Sequence, residues 1–156
     1  IEISKAFSPI YFDDPKKLNC IISVMNLIKI LTAESQSNNK IYEAINDFYV
    51  ILTKSNWLKK YIFWELKLLS ILGYNLDLES ITNKRIINNK TLYIAESSTE
   101  KKVVPNFLID NNDNLNDINE LLDGLKLVGE FMDKTIFKPN NMSFPISRNQ
   151  FVQSLK

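Results

Sequence analysis

The chain has 156 residues, 19 basic against 18 acidic side chains, and 45% hydrophobic residues, so one domain with a buried core is expected. It has no histidine and a single cysteine, Cys20. These counts exclude Ser-His-Asp and Cys-His catalysis, histidine-ligated or four-cysteine metal sites, and an internal disulfide. No apolar run of 18 residues or signal-like segment occurs, so we predict a soluble cytoplasmic protein that contacts no membrane.

The first half of the chain predicts three helices. An acidic residue before Pro15 is typical of a helix start, and apolar residues then recur at three- and four-residue spacing over about residues 15–34. The same pattern runs from Ile41 to Leu52. A third segment, from Trp57 to Leu72, is apolar around most of its circumference, as expected at the centre of a bundle. Gly73 follows where a C-terminal cap belongs.

Beyond Gly73 the apolar period falls to about two, which predicts a β-ribbon over about residues 80–106 with a turn at Asn88-Asn89. Residues 110–116 are rich in Asn and Asp and predict a solvated loop. The fold class is therefore mainly α, an antiparallel helical bundle with a small β-ribbon insertion.

Two further helices complete the bundle. Asp117 and Glu120 resemble a capping box that begins a fourth helix, which we expect to run to about Phe137. Ser147, with Gln150 three residues on, predicts the cap of a last short helix.

Charge is unevenly distributed along the chain. Residues 110–133 carry one basic and seven acidic side chains, whereas residues 134–156 carry four basic and none acidic. Clustered cations on the ribbon and the C-terminal stretch could bind phosphates. These are Lys84, Arg85, Lys90, Lys101, Lys102, Lys134, Lys138, Arg148 and Lys156. The alternative is an ordinary solvated surface, and Arg148 could instead pair with Glu130 or Glu65.

No catalytic constellation is found. Glu65 lies on the most apolar helix, where a buried carboxylate could be a general acid, but a structural partner such as a Tyr hydroxyl is the favoured interpretation. The aromatic residues Tyr61, Phe63 and Trp64 alternate around the helix, which favours the core over a base-stacking platform. A carboxylate-based hydrolase would need two converging acids, and no pair has suggestive spacing.

Residues 61–78, YIFWELKLLSILGYNLDL, resemble the helix-and-turn signature of the RecO family of bacterial recombination mediators. Other segments agree in order. They are Leu31 to Glu34, Ile41 to Ala44, Leu92 to Ile94, Asp123 to Phe131, and Phe144 to Arg148. The resemblance covers nearly the whole chain but only the family's C-terminal helical region.

The resemblance implies a domain organisation and a function. Residues 1–12 resemble the end of an N-terminal oligonucleotide-binding barrel and its linker, residues 13–156 the helical domain, and we expect the barrel itself to be missing. The implied function is non-enzymatic and needs no cofactor. It comprises binding of single- and double-stranded DNA, annealing of complementary strands, and help in loading RecA within the RecFOR pathway. The implied location is the cytoplasm, in association with the nucleoid. The implied protein partners are RecR and the acidic C-terminal tail of single-stranded DNA-binding protein.

Two departures from the family pattern matter. Ile81 and Lys84 stand where many members carry the cysteines of a zinc site, so we expect no metal and a ribbon held by Ile81, Ile86, Leu92 and Ile94. Phe63 stands where relatives often have arginine. If that arginine binds the partner's tail, Lys59, Lys60 or Lys67 could take its place.

The sequence therefore predicts a RecO-like mediator. Its DNA contacts are assigned to Lys84, Arg85, Lys101, Lys102, Lys134, Lys138 and Arg148. The alternative is a degenerate helical adaptor that binds only protein.

Overall fold

The computed structural model describes Tyr11 and residues 13–32, 39–110 and 114–156. Two expectations lie outside these ranges, namely nearly all of the segment 1–12 and the proposed helix end at Glu34. The mainly α architecture with a small antiparallel sheet is confirmed.

Helix α1 spans Pro15–Leu31 and begins as predicted. The Asp14 carboxylate accepts a hydrogen bond from the Lys17 N–H, and the proline occupies the first turn, where no N–H partner is needed. Within the described residues the helix ends at Leu31, with Thr32 as its cap. The Thr32 hydroxyl donates to the Ile28 carbonyl, which already accepts the Thr32 N–H, and closes the last turn.

Helices α2, Asn39–Leu52, and α3, Trp57–Ile71, form an antiparallel hairpin, because only four residues connect them. Helix α3 is the central helix, with buried side chains on several sides. Gly73 ends it in the left-handed conformation, at φ 94°, and the next N–H, of Tyr74, donates to the Leu69 carbonyl. The predicted glycine cap is therefore confirmed.

A short helix α4, Leu78–Ile81, leads into the sheet. Strands β1, Thr82–Ile87, β2, Lys90–Glu96, and β3, Lys101–Val104, pair antiparallel in the order β1-β2-β3. Asn88 and Asn89, at φ 53° and 61°, form the two-residue turn as predicted.

The expected packing of the sheet is partly wrong. Ile94 is buried, but Ile81 is half exposed and Ile86 is 72% exposed. Ile86 pairs with Thr91 next to the turn, where the hairpin projects beyond the bundle. The sheet is held instead by Val104, which belongs to the core, and by Tyr93, which packs on it.

The remaining elements close the bundle. They are α5, Phe107–Asp110; α6, Ile118–Met132; a π-helical turn, Asp133–Phe137; a 3-10 turn, Lys138–Asn140; and α7, Ile146–Ser154. Asp117 caps α6 by accepting from the N–H groups of Asn119 and Glu120, and helical structure reaches Phe137 as predicted. The predicted cap at Ser147 is wrong. That residue lies inside α7, and its hydroxyl accepts a hydrogen bond from the Asn26 amide of α1.

Candidate functional site

Glu65 and Arg148 form a buried ion pair between α3 and α7. Arg148 is 3% exposed, and its Nε and Nη2 donate to Glu65 Oε2 and Oε1 at 2.9 and 2.8 Å. Its Nη2 also donates to the Leu125 carbonyl of α6 at 2.9 Å, and the Tyr61 hydroxyl donates to Glu65 Oε2 at 2.7 Å. A bidentate pair with both ends hydrogen-bonded is the arrangement in which buried charge is tolerated. Arg148 is thus not on the candidate DNA surface, and the alternative of pairing with Glu65 is the one observed.

The surroundings of this pair are adapted to it. Gly129 of α6 lies so close that a Cβ there would stand 2.5 Å from Arg148 Nη1, so the guanidinium requires the glycine. Burial raises the pKa of the Cys20 thiol and of the Tyr61 hydroxyl well above their ordinary values, and the Glu65 carboxylate adds to both effects. Burial lowers the pKa of Arg148, but the charge and hydrogen bonds of Glu65 outweigh this and raise it. The centre is a buried structural ion pair.

The cations predicted on the ribbon lie on two different faces of the sheet. The register pairs Lys84 with Tyr93, so Lys84 shares the face of Tyr93 that turns toward the bundle. Arg85 and Lys101 occupy the opposite face, because side chains alternate along a strand. This second face, the outer sheet face, is defined by Asn83, Arg85, Ile87, Lys90, Leu92, Ile94, Glu96, Lys101 and Val103. Ile94 is buried within it and Leu92 is partly buried, whereas its other side chains are exposed. Its Arg85 and Lys101 both pair with Glu96, at 3.1 and 3.4 Å.

Lys102 and Lys134 belong to an ion-pair network that joins the sheet to α6 and the π-helical turn. Lys102 contacts Glu130 and Glu100, and Lys134 contacts Glu100 at 3.1 Å. The hydrogen bond to Glu130 raises the pKa of Lys102, and the hydrogen bond from Lys134 lowers the pKa of Glu100. The same arrangement recurs at Lys138, which pairs with Asp133 at 3.5 Å. These three lysines are therefore engaged by carboxylates of the protein itself.

A groove of about 530 Å³ lies on the α2–α3 hairpin. Its residues are Asp47, Val50, Ile51, Lys54, Lys60, Phe63, Trp64 and Lys67. The floor is apolar and open, since Val50 is 56% exposed. Three lysines and one aspartate surround it, which leaves an excess of positive charge. We call this the hairpin groove.

The hairpin groove contains two of the three lysines predicted to bind a partner's tail, Lys60 and Lys67, but not Lys59. Lys59 is buried on another side of α3, where its ammonium donates to the Asn114 carbonyl at 2.8 Å and lies over the Phe107 ring. Lys59 is thus part of the packing of α3 against the loop before α6.

Sequence reasoning missed Lys54 and Val50, although a signal was present. Asp47 and Val50 share one face of α2, and Lys54 follows four residues later, just beyond the end of the helix. Val50 on that face is apolar yet has no place in the buried stripe. One exposed apolar residue between polar ones is only a weak indication of a binding surface in a single helix. The groove forms only where this face of α2 packs beside α3.

Within the described residues, no group of three or more acidic or cysteine side chains could hold a metal ion. In the same residues, no helix has the length and apolar composition needed to cross a bilayer.

A family model described as recombination protein O C terminal matches residues 13–104, more than half of the chain. The chain belongs to the RecO family. The RecO resemblance found on residues 61–78 is thereby confirmed.

Curated relatives extend the RecO match to most of the chain. The protein called DNA repair protein RecO from Rhodospirillum centenum is 24% identical over 97% of the chain, and its counterpart from Wolbachia pipientis subsp. Culex pipiens is 29% identical over 89%. A third, from Rickettsia africae, is 24% identical over 89%. The chain spans 66%, 65% and 63% of the lengths of these three relatives, just under two thirds. No solved structure matches significantly.

Proposed function

We propose that this chain is the helical part of a DNA repair and recombination mediator that acts without enzymatic chemistry. Membership of the RecO family and relatives named DNA repair protein RecO support this assignment. In this proposal residues 1–12 are the end of an oligonucleotide-binding barrel and its linker, and residues 13–156 are the helical domain. The protein would anneal strands, work with RecR to load RecA, and act at the nucleoid in the cytoplasm.

The hairpin groove is proposed as the site for the acidic C-terminal tail of single-stranded DNA-binding protein. Such a tail combines carboxylates with apolar side chains. The groove supports this role because Val50 and Phe63 offer apolar surface between lysines, and Lys54 and Lys60 stand at the end away from Asp47. The observation that carries the proposal is this combination of an open apolar floor with an excess of cations.

A fluorescence-polarisation titration with a labelled tail peptide tests the groove. We expect the double variant Lys54→Gln and Lys60→Gln to bind about tenfold more weakly, because two charge-assisted contacts are lost. Lys126→Gln is the matched control, since it removes one exposed lysine from α6. Equal affinities of the wild-type and double-variant proteins would rule out the groove as the tail site.

The outer sheet face is the proposed DNA contact. Arg85, Lys90 and Lys101 share it with one acidic strand residue, Glu96, so it retains net positive charge. Replacing the three basic residues with Gln should weaken single-stranded DNA binding and flatten the slope of log affinity against log salt by about two to three. The control is Lys134→Gln and Lys138→Gln, because these two lysines lie in the π-helical and 3-10 turns and not on the outer sheet face. An unchanged slope in the triple variant would refute the contact.

One observation favours the second candidate, an adaptor that binds protein only. Arg85 and four of the lysines assigned to DNA pair with acidic residues, which lowers the positive potential of that surface; the lysines are Lys101, Lys102, Lys134 and Lys138. The two titrations separate the candidates. Tail binding without salt-dependent DNA binding supports the adaptor, and both activities together support the mediator.

A further inference from the structure

The hairpin groove continues beyond Asp47 and Lys67. A second cavity, of about 430 Å³, lies on the same hairpin and is bounded by Lys40, Glu43, Ala44, Asp47, Lys67, Ser70 and Ile71. Asp47 and Lys67 line both cavities. Because of this shared lining the two cavities form one long groove, which runs beside α2 from residue 40 to the end of the helix at residue 52, about 18 Å at 1.5 Å per residue.

An ion pair lies where the two cavities meet. Lys67 Nζ lies 3.4 Å from Asp47 Oδ2, and the two side chains are 62% and 54% exposed. Pairs at this exposure are weak because water screens them, so this one can open at little cost. The same lysine is one of the three cations that surround the apolar floor. Lys67 therefore has an internal partner that competes with any incoming carboxylate.

We propose that Asp47 is a built-in competitor that sets the affinity of the hairpin groove for acidic peptides. The inference rests on the proposed role of the groove. An acidic peptide on the apolar floor draws Lys67 away from Asp47. Because one ion pair is lost when the other forms, the net free energy of peptide binding is less favourable than it would be for an unpaired lysine. The groove thereby favours peptides with several carboxylates. Lys67 can bind a peptide carboxylate only by giving up its ion pair with Asp47, so most of the electrostatic attraction must come from Lys54 and Lys60.

The proposal predicts opposite effects for the two members of the pair. Asp47→Asn should tighten binding of the acidic peptide about fivefold, the upper range for release of an exposed pair. Lys67→Gln should weaken it. The decisive prediction concerns the combination. In a Lys67→Gln background, Asp47→Asn should raise the peptide affinity by less than about twofold, because Asp47 then no longer holds a lysine that its loss could release.

The experiment is the same tail-peptide titration on the full chain, with Asp123→Asn on α6 as the control for loss of one negative charge. Both Asp47 and Lys67 are largely exposed, so their variants should fold, which circular dichroism checks. The competition is supported if Asp47→Asn raises the peptide affinity about fivefold, if this increase disappears in the Lys67→Gln background, and if Asp123→Asn shows no such increase.

Three results would overturn it. The first is an unchanged peptide affinity in Asp47→Asn. The second is an equal increase in affinity with and without Lys67, and the third is an equal increase in Asp123→Asn. Each leaves the proposed tail site intact if the wild-type chain binds the peptide and the Lys54→Gln and Lys60→Gln double variant binds it more weakly. Failure of every chain to bind the peptide would overturn the competition and the proposed tail site together.

Discussion

Removing Arg148 should destabilise the protein more than any exposed charge change. In Arg148→Met the side chain keeps much of its volume, but Glu65 loses two hydrogen bonds of 2.8 and 2.9 Å and its countercharge. Among the described residues, the Tyr61 hydroxyl then remains as the hydrogen-bond donor to that carboxylate, and the Leu125 carbonyl loses its guanidinium donor. Breaking a buried pair in this way costs roughly 3–5 kcal/mol.

Urea unfolding followed by tryptophan fluorescence measures this cost, with the denaturant slope checked for constancy. Lys67→Gln is the matched control, because it breaks an ion pair whose members are more than half exposed, and should cost at most about 1 kcal/mol. In the double variant Arg148→Met and Glu65→Gln, the decrease in the free energy of unfolding should be clearly smaller than the sum of the decreases in the two single variants, since no unpaired charge is left buried. A loss below about 1 kcal/mol in Arg148→Met, or additive losses, would refute the structural role of the pair.

Two further predictions concern ionisable groups. Because burial raises the pKa of the Cys20 thiol, a thiol reagent should not label the native protein at pH 8 and should label it rapidly in urea; rapid native labelling would contradict the buried environment. Lys134 lowers the pKa of Glu100 below its ordinary 4.5, so their pair stabilises the fold above that pH and loses its effect as pH falls through the lower folded value. Wild type should therefore unfold at slightly higher urea than Lys134→Gln at pH 7, and this difference should shrink as the pH is lowered below 4.5; a difference that acidification leaves unchanged would exclude this linkage.

Local sequence was a reliable guide where local geometry decides the structure. The helix start at Asp14, the glycine cap at Gly73 and the turn at Asn88-Asn89 were predicted because each depends on the backbone preferences of a few adjacent residues. Ser147 is the exception. Its hydroxyl bonds to Asn26, which lies 121 residues away in the chain, and a spacing rule cannot register such a partner.

The candidate site depended on distant contacts, so sequence reached only part of it. Lys60 and Lys67 were named, but Lys59 was grouped with them, although one step along a helix turns a side chain by about 100° and directs it to another side. The carboxylate partners of Lys102 and Lys134 come from separate segments, and a count of charges along the chain does not show them.

Composition by itself excluded histidine-dependent catalysis, histidine-ligated and four-cysteine metal sites, and an internal disulfide. Periodicity with the motif at residues 61–78 determined the helical fold class and the family. Both are properties of residue identity and short-range spacing. The tertiary structure alone decided that Arg148 lies inside the bundle with Glu65, that the ribbon cations divide between two faces, and that one hairpin carries an apolar groove surrounded by lysines. The physical reason is that burial and electrostatic pairing depend on what lies across a contact, and those partners come from elements far apart in the chain.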